Sequence, residues 1–267
     1  MNYLRGNMAK ECWGRGQGIR IAHIDSGINQ GHSHIGRVAG GIAFHVSEDG
    51  SLFLSEDYRD NLGHGTAVAG VLYEHVPDAE IWAVKIFHDS LSAHIETLCA
   101  AMEWCIEAKM DIINLSLGVR QDNFDFREIC VEAEKRGVFI VSACDEKRGL
   151  LWPASYSSVF GVKAEADCSG NMFFYHTEEK VVFSTLGIPR RLEGPLQKFN
   201  LEGHSFAAAH VTGFLAKIRE KYSIQSKVDL EGWLSKWLIS HDVPSVNLKL
   251  TELSKTNSGK IARVESI

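Results

Sequence analysis

The 267-residue chain contains no stretch approaching the ~18 consecutive apolar residues of a membrane-spanning helix. Its opening segment, MNYLRGNMAKECWGRGQG, also lacks the apolar run that a secretory signal carries after its basic residues. These absences lead to the expectation of a soluble, cytoplasmic chain with no membrane partner. Strong positive charge is missing as well. Lys and Arg number 28 against 34 Asp and Glu, a net charge of −6, which argues against a nucleic-acid binder and gives no large steering field. The six cysteines (Cys12, Cys99, Cys105, Cys130, Cys144 and Cys168) form no CxxC pair in a chain large enough not to need covalent staples, so reduced thiols are expected rather than disulfides. No internal repeat or low-complexity block is found.

What the chain does have is ordinary globular composition, 45% apolar and 23% charged, enough for a sizeable core. The length allows one domain or two, and α/β enzymes of this size are often a single unit. Short apolar runs alternate with segments of helical period, the pattern of βαβ units and a parallel sheet. Buried strands are expected at Ile19–Ile24, Ile81–Phe87, Asp111–Ser116 and Val138–Ala143, each a brief β-branched or aromatic run apolar on both faces. Helices are expected at His64–Glu74, Ser92–Lys109, Phe126–Arg136 and Ser205–Tyr222, where apolar residues recur at three- and four-residue spacing. Between Val159 and Ser184, apolar runs broken by Asp167, Ser169, Gly170 and Asn171 read as turns and hairpins. The α/β unit, with a mainly parallel sheet and helices on both faces, is assigned to residues 1–242. After Val243 the chain turns polar, so 243–267 is expected to be a docked extension or a mobile tail.

Three residues carry chemistry. Asp25, in IAHIDSG, ends the first long strand, at the edge where open α/β proteins place their sites, although a strand-end Asp-Ser-Gly also makes an ordinary turn. His64, in NLGHGTAVAGVL, opens a helix between two glycines, one of twelve histidines in the chain. Ser205, in EGHSFAAAHVTGF, stands at a helix N-terminus, where most serines are caps. Taken together they supply what acyl transfer by serine requires: a hydroxyl, an imidazole to take its proton and a carboxylate to fix the imidazole's tautomer. Asp, His, Ser is one of the chain orders in which that constellation occurs.

These residues resemble the subtilisin-like serine protease family. Its three signature blocks are matched by DSG at 25–27, HGTAVAG at 64–70 and GHSFAAAHV at 203–211, and AVKIF at 83–87, MEWCIEAKMDIINLSLG at 102–118 and WPASYSSVFGV at 152–162 look like family segments too. The resemblance runs from about Ile19 to Phe214. It implies that Asp25 orients the histidine, His64 serves as general base and then general acid, and Ser205 is the nucleophile. It also implies that Leu91–Ala93 (with Ser92) and the strip Leu115, Ser116, Leu117, Gly118 hold a peptide or protein substrate between them as an added β-strand. Intracellular limited processing of one peptide or precursor is the expected role.

The sequence departs from the family in several places. Where the family has an oxyanion-binding asparagine, VSACDEK puts Asp145, whose ionised carboxylate would oppose the developing charge and whose protonated form could still donate a hydrogen bond. Ala143 and Cys144 would stand in a wall of the primary specificity pocket, Cys144 in place of the usual glycine and either narrowing the pocket or turned into the core. His204 replaces a threonine and is either a hydrogen-bond anchor or a determinant of substrate choice. Calcium-binding members use an acidic residue where His34 stands here and a loop that is much reduced in AGVLYEHVPDAEIWAVK, so no metal and no cofactor are expected. With Asp25 so near Met1, either the chain folds unaided or a propeptide lies outside it. Two rivals share these residues: a scaffold or binding protein with little or no activity, and an esterase or acyltransferase using the same triad without peptide strips.

Overall fold

A computed structural model describes residues 3–10, 13–47, 49–166, 168–192, 194–240 and 263–266. Thirteen strands are described. In chain order they are β1 Tyr3–Asn7, β2 Arg20–Asp25, β3 Gly40–Val46, β4 Leu52–Ser55, β5 Glu80–Lys85, β6 Ser92–His94, β7 Ile112–Leu115, β8 Leu117–Val119, β9 Phe139–Ala143, β10 Phe160–Ala164, β11 Met172–His176, β12 Phe183–Thr185 and β13 Arg263–Ser266. The α-helices are α1 His64–His75, α2 Ile95–Glu107, α3 Phe124–Lys135, α4 His204–Tyr222 and α5 Lys227–Ser240.

Ten strands form one sheet in the order β1-β11-β12-β10-β9-β7-β2-β5-β3-β4. From β12 across to β3 every pairing is parallel, and antiparallel strands close both edges. This is the mainly parallel α/β architecture expected from the alternation of short apolar runs with helical segments. The side chains of each central strand alternate between two cores. Ile21, Ile81, Ala83, Ile112, Phe139 and Val141 pack with α1, α4 and α5 on one face. Ala22, Ile24, Val84, Ile113, Leu115 and Ile140 pack with α2 and α3 on the other.

The chain passes from β2 to β3 and β5 on one side of the sheet and to β7, β9 and β10 on the other. The order therefore reverses at β2. A crevice opens outside the carboxyl ends of the strands at such a switch point, and Asp25, Ser116 and Asp145 stand at or just past the carboxyl ends of β2, β7 and β9.

Expected and observed elements differ by a residue or two at most boundaries, with one difference of consequence. Ser92–His94, expected to open a helix, is an extended strand, and α2 begins only at Ile95. Its backbone is paired across to β13, so it forms ladder bonds where a helix would have made intrahelical ones. Of the turns and hairpins expected over 159–184, β11 and β12 form an antiparallel hairpin, whereas β10 is a parallel strand of the main sheet between β9 and β12. Helix α5 was not foreseen: its apolar residues Leu230, Leu234, Trp237 and Leu238 are buried in the core. The boundary expected at 242/243 lies outside the described residues. Of the segment 243–267, Arg263–Ser266 is a docked strand forming a separate three-stranded sheet in the order β6-β13-β8.

Candidate active site

His64 is the first residue of α1, and its position is fixed from three sides. Gly63 takes the left-handed conformation (φ 83°) that favours glycine and turns the chain into the helix. Asp60, almost wholly buried, accepts the backbone N–H groups of Leu62, Gly63 and Thr66 and the hydroxyls of Thr66 and Ser26, all at 2.6–2.9 Å. A carboxylate given this many donors at a helix N-terminus stays ionised despite its burial: burial pushes its pKa up, the hydrogen bonds pull it down, and the net shift is downward. Gly65 has no room for a side chain, since a Cβ there would lie 2.3 Å from the Gly27 carbonyl oxygen. That close approach brings α1 against the end of β2.

The result is a direct bond between the two polar residues. His64 Nδ1 donates to Asp25 Oδ1 at 2.8 Å, and the same oxygen accepts the Ser26 N–H at 2.7 Å. Asp25 is fully buried. Burial pulls the His64 pKa down, but the Asp25 carboxylate beside it and Asp60 nearby bring it above 6.5.

Ser205 is the second residue of α4, whose first four N–H groups have no partner within the helix. Its hydroxyl donates to the Ser116 carbonyl at 3.2 Å, which sets it against the strip between β7 and β8. The ring of the next residue, Phe206, lies 6.5 Å from that of His64. Helix α4 runs deep in the core because Ala207, Ala208 and Ala209 are small enough for close approach, and Gly213 lets the His75 side chain lie where its own Cβ would be. A buried polar chain ties the helices together: Thr212 Oγ1 donates to Asn114 Oδ1, Asn114 Nδ2 to His23 Nδ1, and His23 Nε2 to the Gly65 carbonyl, at 2.9–3.1 Å. Burial lowers the His23 pKa and outweighs the pull of Asp25, so the ring is neutral, as this donor order requires.

Residues 16–247 match the subtilase family. The chain belongs to the subtilase family. Among its relatives, the minor extracellular protease Epr of Bacillus subtilis is 29% identical over 86% of this chain and 37% of its own length. A thermostable alkaline protease of Halalkalibacterium halodurans is 31% identical over 78% of this chain and 58% of its own. The chain thus spans less than two thirds of the length of these two relatives. The major intracellular serine protease of Bacillus subtilis is 28% identical over 94% of this chain and 83% of its own length.

Against this subtilase frame the remaining expected site residues separate into two groups. Leu91, Ser92 and Ala93 on one side and Leu117 and Gly118 on the other flank β13, which runs antiparallel to both. Ser266 donates its N–H to the Leu91 carbonyl at 3.2 Å, and its hydroxyl lies 3.0 Å from His64 Nε2. Leu115 and Ala143, by contrast, are buried in the two main cores. Cys144 also turns inward, packing with Ala154 and Val181, and burial pushes its thiol pKa up to about 12, so it is an inert core side chain and not a narrowing of the cleft.

Asp145 lies two residues past the end of β9 and is 8% exposed. Its Oδ1 accepts the Arg148 N–H at 3.0 Å, and its backbone pairs with Leu150 in both directions, closing a tight loop over 145–150. His204 Nδ1 accepts the Ala164 N–H at 2.9 Å, which makes it an anchor between α4 and β10. Burial lowers its pKa, opposed by the Asp145 charge. Asp60, Ser26, His23 and Asn114 were not singled out in the sequence. The one available signal was Asp60, a turn-forming acidic residue shortly before His64 in DNLGH.

Proposed function

We propose that this subtilase is a serine endopeptidase acting through Ser205, His64 and Asp25, on a peptide laid as a strand between β6 and β8. The observation that carries the proposal is β13: an extended peptide segment lies between the two strips and brings a side chain to His64 Nε2. Backbone pairing on both sides accepts any extended chain, while side-chain subsites supply the choice. The relatives named above are called proteases, which agrees with it.

In the mechanism, the Ser205 hydroxyl transfers its proton to His64 Nε2 as Oγ forms a bond to the scissile carbonyl carbon. Asp25 holds the proton on Nδ1 and stabilises the imidazolium. Such a base contributes on the order of 10²–10⁴ in rate. The negative oxygen of the tetrahedral intermediate faces the N-terminus of α4, whose dipole and N–H groups favour an anion. As the intermediate collapses, the C–N bond breaks and His64 returns the proton to the leaving amine. Water, deprotonated by His64, then releases the acyl group from Ser205 by the reverse sequence. Asp145 occupies the second oxyanion position and makes the enzyme slow or unusually pH-tuned. The reading extends to limited processing of a specific peptide in the cytoplasm, in keeping with the cleft's occupied state and with the intracellular relative.

The test is labelling with an active-site-directed fluorophosphonate. Wild type is expected to label on Ser205, and Ser205→Ala and His64→Ala to lose at least about 10²-fold in rate. Absence of labelling in wild type and in variants freed of β13 would leave the scaffold alternative in its place. Digestion of a peptide library then separates a protease from an esterase.

A further inference from the structure

The strand β13 also exposes a contact that the backbone strips do not require. Glu265 pairs with Gly118 on one side and Ser92 on the other, and its carboxylate meets two arginines. Arg148 Nη2 donates to Glu265 Oε2 at 3.0 Å, and Arg120 approaches the two oxygens at 3.3 and 3.4 Å. Each guanidinium group makes a further hydrogen bond. Arg120 Nη1 donates to the Arg148 carbonyl, and Arg148 Nη1 donates to the Ser266 carbonyl at 3.0 Å. Arg148 therefore grips backbone and side chain of the strand at once. In a chain of net charge −6, two cations converging on the cleft are a local exception.

We infer that Arg120 and Arg148 form a specificity site for an acidic side chain, and that Glu265 is its internal ligand. The register fixes where that side chain falls. Val264, Glu265 and Ser266 pair with Val119, Gly118 and Leu117, so a peptide bound in the same register has its next residue opposite Ser116, against which Ser205 stands. Counting back from the residue whose carbonyl Ser205 attacks, the acidic side chain is the second before it, and the neighbour of His64 is the first. A single exposed ion pair discriminates weakly, but two arginines held by further hydrogen bonds on one partly buried carboxylate discriminate more strongly. The preferred substrate is an extended peptide with Glu or Asp at that place, and it must displace β13 to bind. The inference deepens the proposed peptidase reading and rests on it for the direction of cleavage; the binding site itself does not depend on catalysis.

The test is binding of a fluorescent peptide copying residues 263–267, Arg-Val-Glu-Ser-Ile, to the full chain, followed by anisotropy, with Gln and Lys versions of its Glu as comparisons. The Glu peptide is expected to bind about tenfold more tightly than Gln and more tightly still than Lys. The Arg120→Gln/Arg148→Gln variant should bring the three within about threefold. Glu265→Gln in the chain should raise the affinity for the added Glu peptide, since the internal ligand is weakened, and circular dichroism of the variant checks that the fold is kept. Equal binding of the Glu and Gln peptides to the wild type and to Glu265→Gln overturns the inference. Fluorophosphonate labelling of Ser205 in the same samples reports on the peptidase reading separately: discrimination without labelling removes catalysis and keeps the acidic site, and labelling without discrimination does the reverse.

Discussion

Ser266 Oγ and His64 Nε2 face each other at 3.0 Å, so the nitrogen that would take the Ser205 proton is already engaged by the chain's own strand. Behind that contact, Val264 is fully buried and belongs to the core cluster of α2 and α3. A charge at Val264 has nowhere to be solvated without moving the strand. Val264→Asp is therefore expected to release β13 and raise the fluorophosphonate labelling rate of Ser205 by about tenfold or more. An unchanged rate would mean that β13 does not compete for the cleft.

In the proposed mechanism Asp145 stands at the second oxyanion position, and its Oδ1 is committed to the Arg148 N–H. Asparagine can keep that acceptor on Oδ1 and offer Nδ2–H in place of a charged oxygen. Removing one oxyanion donor costs about 10²–10³ in turnover, so Asp145→Asn should recover a large part of that factor at neutral pH. Hydrolysis of a small peptide ester by wild type and variant measures it. No gain would remove Asp145 from the oxyanion role.

The pH dependence follows from His64. Two carboxylates, Asp25 in contact and Asp60 nearby, more than offset the effect of burial and raise its pKa above 6.5. The neutral ring is the base, so activity falls as pH drops through that raised pKa. The acid limb of kcat/KM for the ester should have its midpoint above 6.5, and Asp60→Asn should move it down. A midpoint below 6.5 would contradict the arrangement.

The central strands β2, β5, β7 and β9 and four of the helices were legible because buried parallel strands are short β-branched runs and their helices carry a clear apolar stripe, whereas the edge strands β1, β3 and β4 were not expected. The place of His64 beside Asp25 was legible because glycines flank His64, as close backbone approach demands. Helix α5 was not, since only Leu230, Leu234, Trp237 and Leu238 of its residues are buried and its stripe is weak. Strand β13 was illegible for a deeper reason. RVES has no core of its own and becomes a strand only because β6 and β8 offer unpaired edges 140 or more residues earlier in the chain. Arg120 and Arg148 gain meaning only with it, and the inward turn of Cys144 depends on Ala154 and Val181.

A second pH effect is one of stability and lies away from the cleft. His75 on α1 and His210 on α4 are both buried, with His75 Nε2 2.7 Å from His210 Nδ1 and His210 Nε2 2.9 Å from the Ile188 carbonyl. The carbonyl can only accept, so His210 carries its proton on Nε2, and His75 Nε2–H donates to Nδ1; both rings are neutral. Burial lowers both pKa values, that of His210 to about 4, with the Ile188 carbonyl opposing, and that of His75 well below its ordinary value, with the neighbouring His210 and Lys217 adding to the shift. In the unfolded chain each histidine titrates near 6.5, so between 6.5 and about 4 the unfolded state binds more protons than the folded one. Stability from the pair is therefore fully present above pH 6.5 and is lost as pH falls toward 4, by roughly 3 kcal/mol for His210 alone. His210→Asn keeps an acceptor toward His75 and a donor toward Ile188 without the titration. Its urea midpoint should fall less than that of wild type between pH 7 and pH 4.5, and equal slopes would show that the pair does not govern acid stability.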